Sequence, residues 1–189
     1  ALRRGLLRWH GNRGWTGPIG TIEMDDKWQS RLASSFLGID YDDWRVAVVV
    51  TKAPGAATIG FADGETASLP IGLANMAART GGTAFNVMRP GDIILVKAVS
   101  AGVYALRTIP AISGGMIAQS PYSGRVFAMQ GGFDSQLSSF NRATQAMRQP
   151  GSTIKPFVYA TALDNGMTPA SIIVDGPFCV YQSASLGQK

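Results

Sequence analysis

Two residue types that often build enzyme sites are nearly missing from this chain. In 189 residues there is a single cysteine, Cys179, and a single histidine, His10. One cysteine cannot form a disulfide within the chain, so any disulfide partner of Cys179 would lie outside this sequence. The sequence also predicts no cofactor and no metal site.

Long apolar runs and charged residues are also scarce. Charged residues make up 15% of the chain and hydrophobic residues 46%, which is the balance of a globular protein and not of a disordered one. The longest apolar candidate, Val46–Val50, has the length of a strand and is far below the roughly 18–20 residues of a membrane span. Because residues 1–8 lack an initiator Met and a long apolar core, they do not predict a signal peptide. We interpret the sequence as a piece of a longer polypeptide.

The positive charge is uneven along the chain. The net charge is +5, and four arginines, at positions 3, 4, 8 and 13, precede the first acidic residue, Glu23. Such a cluster can contact phosphates or an anionic membrane. Gly, Arg and Trp dominate residues 1–20, so we interpret this segment as an extended, solvated linker with His10 on its surface.

Residues 21–109 have the pattern of a small β domain. A short helix is predicted over residues 26–36, with Trp28, Leu32 and Phe36 at intervals of four. Short strands separated by Gly, Pro and Asp turns follow it and suggest a small β-barrel, plausibly OB-like. The predicted strands are Arg45–Thr51, Ala57–Ala62, Glu65–Ile71, Ile93–Val99 and Val103–Ile109.

Residues 110–189 have a different pattern. A second hairpin is predicted from Ile112–Gln119 and Arg125–Gly131, and a helical segment around Asn141–Met147. After the Pro150-Gly151 break, a longer helix is predicted over Ser152–Asn165, with Gly166 as its terminating glycine.

The start of this longer helix holds the candidate chemistry. Ser152 and Lys155 are three residues apart and would share one face of the helix, as in enzymes that acylate a serine with lysine as the base. A lysine can take the serine proton only if its amine is neutral, which requires desolvation or a neighbouring positive charge. At the first turn, the backbone N–H of Ser152 is available for an oxyanion hole.

Spacing alone is a weak argument for this chemistry. A Ser-x-x-Lys pattern is expected on the order of once by chance in a chain of this length. Its non-catalytic interpretation is a capping Ser152 and a solvated Lys155. The residues around the pair decide between the two interpretations.

Those residues resemble a known family. Phe140–Tyr159 is very similar to the active-serine region of class A penicillin-binding proteins. Ser123–Phe133 resembles the family's hairpin before that region, and Ala162–Ser171 its Ala-Leu-Asp-x-Gly-x-Thr-Pro-Ala-Ser segment. Leu2–Leu6 and Gly14–Pro18 resemble the linker that precedes the OB-like domain in the type 1a branch.

The resemblance implies a mixed α+β chain. It would comprise a linker (1–20), an OB-like accessory domain (21–109) and the incomplete N-terminal part of a penicillin-binding, β-lactamase-like transpeptidase domain (110–189). It implies that Ser152 is the acylated nucleophile and Lys155 its base.

The resemblance further implies the parent protein's role. That protein would be a bifunctional cell-wall synthase, with a membrane anchor and a glycosyltransferase upstream, on the periplasmic side of a bacterial inner membrane. Its ligands would be peptidoglycan stem peptides ending in D-Ala-D-Ala and β-lactam antibiotics, with a possible periplasmic regulatory protein at the OB-like domain.

Two further family motifs, Ser-x-Asn and Lys-Thr-Gly, are needed downstream, and neither follows Ser152. We therefore expect the chain to be inactive alone. Two alternatives stay open: a serine β-lactamase or β-lactam sensor, and a non-catalytic OB-like binding module. Nucleic acid is not an expected partner, because the strands carry few aromatics and their basic residues are not clustered.

Overall fold

The computed structural model describes residues 1–177, 181–183 and 187–188, and Cys179 lies outside them. The chain divides into two compact units, Ala1–Ala146 and Met147–Lys189, which are described separately. The elements of the first unit are α1 (Leu2–His10), β1 (Gly20–Thr21), α2 (Trp28–Ser34), β2 (Trp44–Ala53), β3 (Ala56–Gly60), β4 (Thr66–Pro70), a 3-10 turn (Ile71–Leu73), α3 (Ala84–Val87), β5 (Asp92–Ser100), β6 (Val103–Arg107), β7 (Met116–Gln119) and β8 (Val126–Gln130).

Five of these strands close into a barrel. The order is β5-β2-β3-β4-β6, and β6 pairs back with β5. Every pair is antiparallel except β4 with β6, which is parallel at Ser68 and Val103. A closed five-stranded barrel with one parallel pair and a short helix between its third and fourth strands is the OB-like topology, so the predicted fold class is confirmed.

The strands are apolar on both faces because both faces are covered. In β2, Ala47 and Val49 point into the barrel core, whereas Val48 joins a smaller outer cluster with Leu32 of α2 and Ile93 of β5. Alternate side chains of a strand point to opposite faces, so the continuous apolar run fills both clusters. Each large apolar side chain buried in this way contributes about 1.5–3 kcal/mol.

Helix α2 packs on the barrel at a glycine. A Cβ on Gly60 of β3 would lie 2.3 Å from Cη2 of Trp28. The indole of Trp28 therefore lies directly on the backbone of the strand, which a residue with a side chain would prevent. The predicted extension of the helix to Phe36 is wrong, because the helix ends at Ser34 and Phe36 is 87% exposed.

The N-terminal segment is not extended as predicted. Leu2–His10 form helix α1, with Leu6 and His10 buried. Leucines at positions 2 and 6 and the histidine at 10 share one face at intervals of four, and this face turns away from solvent. Trp15, predicted in the same linker, lies in the barrel core at 4% exposure.

The hairpin β7–β8 follows the barrel, as predicted, and its register pairs Ala118 with Ala128. The helix predicted around Asn141–Met147 is absent from this described part of the chain, which forms turns instead. The Arg142 N–H donates to the Gly131 carbonyl, and the Ala143 N–H donates to Oδ1 of Asn141. The N–H groups of Thr144 and Gln145 then donate to the Asn141 carbonyl, so a single turn forms here and does not continue as a helix.

The second unit contains a 3-10 turn (Gly151–Ile154), helix α4 (Lys155–Asp164) and two paired short strands, β9 (Tyr181–Ser183) and β10 (Gly187–Gln188). Gly166 has φ of 85° and follows α4, as predicted for a terminating glycine. None of the described helices combines the length and apolarity that a membrane crossing requires.

Candidate active site at Ser152

The backbone before Ser152 bends sharply. Gly151 has φ of 55°, in the left-handed region that favours glycine, and it follows Pro150. Ser152 is the second residue of the 3-10 turn that this bend introduces. The Pro-Gly pair thus ends the incoming segment and starts the helical turn at the serine.

Lys155 is one helical turn beyond Ser152. Its backbone N–H donates to the carbonyl of Ser152, and it is the first residue of α4. Pro156 follows within the first turn, where its missing N–H breaks no helical hydrogen bond. The predicted long helix is therefore a 3-10 turn that continues into an α-helix.

Both candidate side chains are exposed. Among residues 147–177 every residue except Ala162 is exposed, so the described part of this unit buries neither Ser152 nor Lys155. A lysine base requires desolvation or a neighbouring positive charge, and the described residues of this unit supply no burial for it. What they supply is a hydroxyl at a helix start with an amine one turn away.

Helix α4 is apolar on more than one side. A helix that is apolar all round is typical of a position buried among other elements. Its exposed apolar side chains are Phe157, Val158, Tyr159 and Leu163.

A Ser-x-Asn triplet does occur in the chain, but it precedes Ser152, at Ser139-Phe140-Asn141. Asn141 uses its side-chain oxygen to accept the N–H of Ala143. Its Oδ1 would lie 1.9 Å from a Cβ on Gly131, so it packs directly on the backbone after β8. We therefore assign Asn141 a structural role in this turn.

Sequence reasoning missed two buried polar residues. His10, predicted at the surface, is 2% exposed, and Asp134 is 3% exposed. No local pattern marks either one, because their partners are distant in sequence. Among the described residues, no three His, Cys, Asp or Glu side chains are grouped to hold a metal.

Comparison with known proteins now decides the family. A model of the penicillin-binding protein OB-like domain matches residues 15–112. A model of the penicillin-binding protein transpeptidase domain matches residues 114–188. The chain belongs to the penicillin-binding proteins.

Individual relatives agree with this assignment. Penicillin-binding protein 1A of Rickettsia conorii is 37% identical over 186 residues, which cover 98% of this chain and 23% of the relative. Penicillin-binding protein 1A of Escherichia coli K12 is 31% identical over 198 residues, again covering 98% and 23%. The chain thus spans about a quarter of the length of these curated relatives.

A solved structure supports the fold. The crystal structure of penicillin-binding protein 1A from Haemophilus influenzae superposes with a TM-score of 0.62 at 28% identity. The match covers 100% of this chain and 28% of that one.

Proposed function

We propose that this chain supplies the nucleophile and the base of a peptidoglycan DD-transpeptidase. The main support is that Ser152 lies within the residues that match the transpeptidase domain. Ser152 is at the start of a helix, and Lys155 is one turn beyond it. The type 1A relatives support a cell-wall synthase of this type.

In the proposed reaction, the neutral amine of Lys155 takes the hydroxyl proton of Ser152. The oxygen then attacks the carbonyl between two terminal D-alanines of a stem peptide. The C–N bond breaks, the terminal D-Ala leaves with the proton, and an ester on Ser152 remains. An amine from a neighbouring stem peptide displaces Ser152, forms the cross-link and restores the hydroxyl. The Ser152 N–H stabilises the oxyanion in both steps.

The same proposal covers the wider setting. We place the protein on the periplasmic side of a bacterial inner membrane and propose a membrane anchor and a glycosyltransferase domain in the parent polypeptide. We assign residues 21–109 to the accessory domain and propose it as a docking surface for a regulatory protein. We assign residues 110–189 to the N-terminal part of the transpeptidase domain and residues 1–20 to the linker that precedes the accessory domain.

A β-lactam tests the assignment of Ser152, because it acylates the serine and leaves it labelled. The natural polypeptide that carries this sequence is incubated with fluorescent penicillin, digested and mapped by mass spectrometry. We expect the label on Ser152, complete loss of labelling in Ser152→Ala, and unchanged labelling in the matched variant Thr153→Ala. Labelling that persists in Ser152→Ala would overturn the assignment.

A second measurement on the same polypeptide separates the transpeptidase from a β-lactamase. A transpeptidase keeps its acyl-enzyme for a long time, whereas a β-lactamase releases it rapidly. Fast turnover of a chromogenic cephalosporin by the same polypeptide would favour the β-lactamase.

A further inference from the structure

Helix α1 is fixed at both of its ends by buried polar contacts with distant parts of the first unit. The C-terminal contact is made by His10. Its Nε2 donates to the carbonyl of Gly14 at 2.7 Å, and its Nδ1 accepts the N–H of Ala111 at 3.3 Å. Because Ala111 lies a few residues beyond the end of the last barrel strand, β6 (Val103–Arg107), this end of α1 is tied to the segment in which the chain leaves the barrel.

The N-terminal contact is made by Arg3. Its guanidinium lies 3.5 Å from Oδ2 of Asp134, whose side chain has no exposed surface. Arg3 also donates to the carbonyl of Asp40. The Asp134 carboxylate accepts two backbone N–H groups in addition, from Asp40 at 3.0 Å and from Gln136 at 2.9 Å. Three separate segments therefore meet at one buried carboxylate.

Aromatic rings enclose this contact. Tyr41 and Trp44, at the entrance to β2, lie 5.1 Å and 6.0 Å from the ring of Phe133, the neighbour of Asp134. The Arg3 guanidinium lies over the ring of Tyr41, 5.8 Å from its centroid. The apolar surroundings strengthen the attraction between Arg3 and Asp134 and make the loss of one partner costly.

The segment that begins at Asp134 leads toward Ser152. It returns to the hairpin through the Arg142 N–H, which donates to Gly131 at 2.8 Å. After Ala146 the chain continues through Met147 into Arg148–Lys155. Residues 133–146 are thus the covalent approach to the proposed nucleophile, and Asp134 fixes the start of that approach.

We propose that α1 is a coupling helix: through the Arg3–Asp134 contact, its position sets the position of residues 133–146. Arg3 and Asp134 are accordingly positioning residues. A displacement of α1 is transmitted to the approach to Ser152 without passing through the barrel strands. This inference does not depend on the chemistry proposed for Ser152, because it concerns contacts within the first unit.

Hydrogen exchange of individual backbone amides in the natural polypeptide tests this coupling. In Arg3→Gln, we expect the amides of Gln136, Ser138 and Arg142 to exchange about tenfold faster or more, since removing one partner of an ion pair leaves the buried Asp134 charge uncompensated. The barrel amides of Val48 and Ile94 should keep their rates. The matched variant Arg8→Gln removes the same charge from an exposed position of α1 and should leave all these rates unchanged.

Two further variants complete the test, and the first of them, Arg3→Lys, keeps it decisive if Arg3→Gln unfolds the protein. Arg3→Lys keeps the charge and should give a smaller acceleration at the same amides, which a helix with no coupling role would not show. In Arg3→Gln combined with Asp134→Asn, the acceleration should be less than the product of the two single effects, because both act on one contact. The proposal is overturned if Arg3→Gln accelerates exchange only within α1, or if Arg8→Gln has the same effect as Arg3→Gln.

Discussion

Ser152 owes its place at a helix start to two residues beside it. Pro150 ends the preceding segment, and Gly151 adopts the positive φ that turns the chain into the 3-10 turn. Both effects are local, and for that reason the break and the helix after it could be predicted from the sequence. The exposure of Ser152 and Lys155 could not, because it depends on which elements pack around them.

Position 131 requires a glycine for a different reason, which is a close contact with a residue distant in the chain. A Cβ at this position would lie 1.9 Å from Oδ1 and 2.8 Å from Cα of Asn141. We expect Gly131→Ala to destabilise the protein by about 1–3 kcal/mol, the usual cost of inserting a carbon into a packed site. Urea unfolding measures this as a lower midpoint.

Gly5→Ala is the matched control for that change. Gly5 is exposed in α1, and a Cβ there would meet no atom within 4 Å. Alanine is the better helix former, so a gain of about 0.5–1 kcal/mol is expected. Equal effects of the two substitutions would show that Gly131 has no close neighbour.

At the scale of elements, α2 depends on an ion pair as well as on its packing. Asp25 precedes the helix, and its carboxylate accepts hydrogen bonds from two nitrogens of Arg31. Nη2 of Arg31 lies 2.6 Å from Oδ2, and Nε lies 3.2 Å from Oδ1. The hydrogen bond from Arg31 holds the pKa of the Asp25 carboxyl below its ordinary value of 3.8. A lowered pKa in the folded state means that the charged carboxylate stabilises the fold above pH 3.8 and that this stabilisation is lost as the pH falls through the lowered pKa.

Asp25→Asn should therefore lower stability at neutral pH and have progressively less effect at acid pH. Urea unfolding of both proteins across this range measures the difference. Because the pair is exposed, added salt should also reduce the difference. Asp26→Asn, a change at the exposed neighbouring carboxyl, is the control. A difference that stays constant down to pH values well below 3.8 would contradict a role for the Asp25 charge.

Some of these elements could be predicted from local sequence patterns, and others could not. The barrel strands were predicted within a few residues, because their β-branched runs and Gly-Pro-Asp turns are local signals. Helix α1 was missed, since its glycine and arginines resemble a linker and its buried face is explained only by contacts with Ala111 and Asp134. The short helix predicted around 141–147 forms only a single turn, in which the residues at its start pack and hydrogen-bond against the distant Gly131.

At the scale of the whole molecule, the two units differ in how much they bury. The first contains both apolar clusters of the described chain, whereas in residues 147–177 nearly every side chain is exposed. Neither Ser-x-Asn nor Lys-Thr-Gly follows Ser152 in this sequence. The surroundings that a serine acyltransferase needs around its nucleophile are therefore not supplied by these residues.

We accordingly expect the 189-residue chain, prepared by itself, to react with penicillin poorly or not at all. Fluorescent penicillin and gel analysis measure the labelled fraction. Circular dichroism of the same sample serves as the control, because the barrel should still give a β spectrum. Stable labelling of the isolated chain at Ser152, lost in Ser152→Ala, would contradict this expectation.

The sequence by itself determined the family, the barrel strands and the candidate pair Ser152 and Lys155, because each is encoded by residues that are close together in the chain. Only the tertiary structure decided that His10 and Asp134 are buried and that α1 is a packed helix. Each of these two residues has a partner roughly a hundred residues away in the chain. No local sequence pattern can specify a contact between residues so far apart in the chain, since only the fold brings the two residues together.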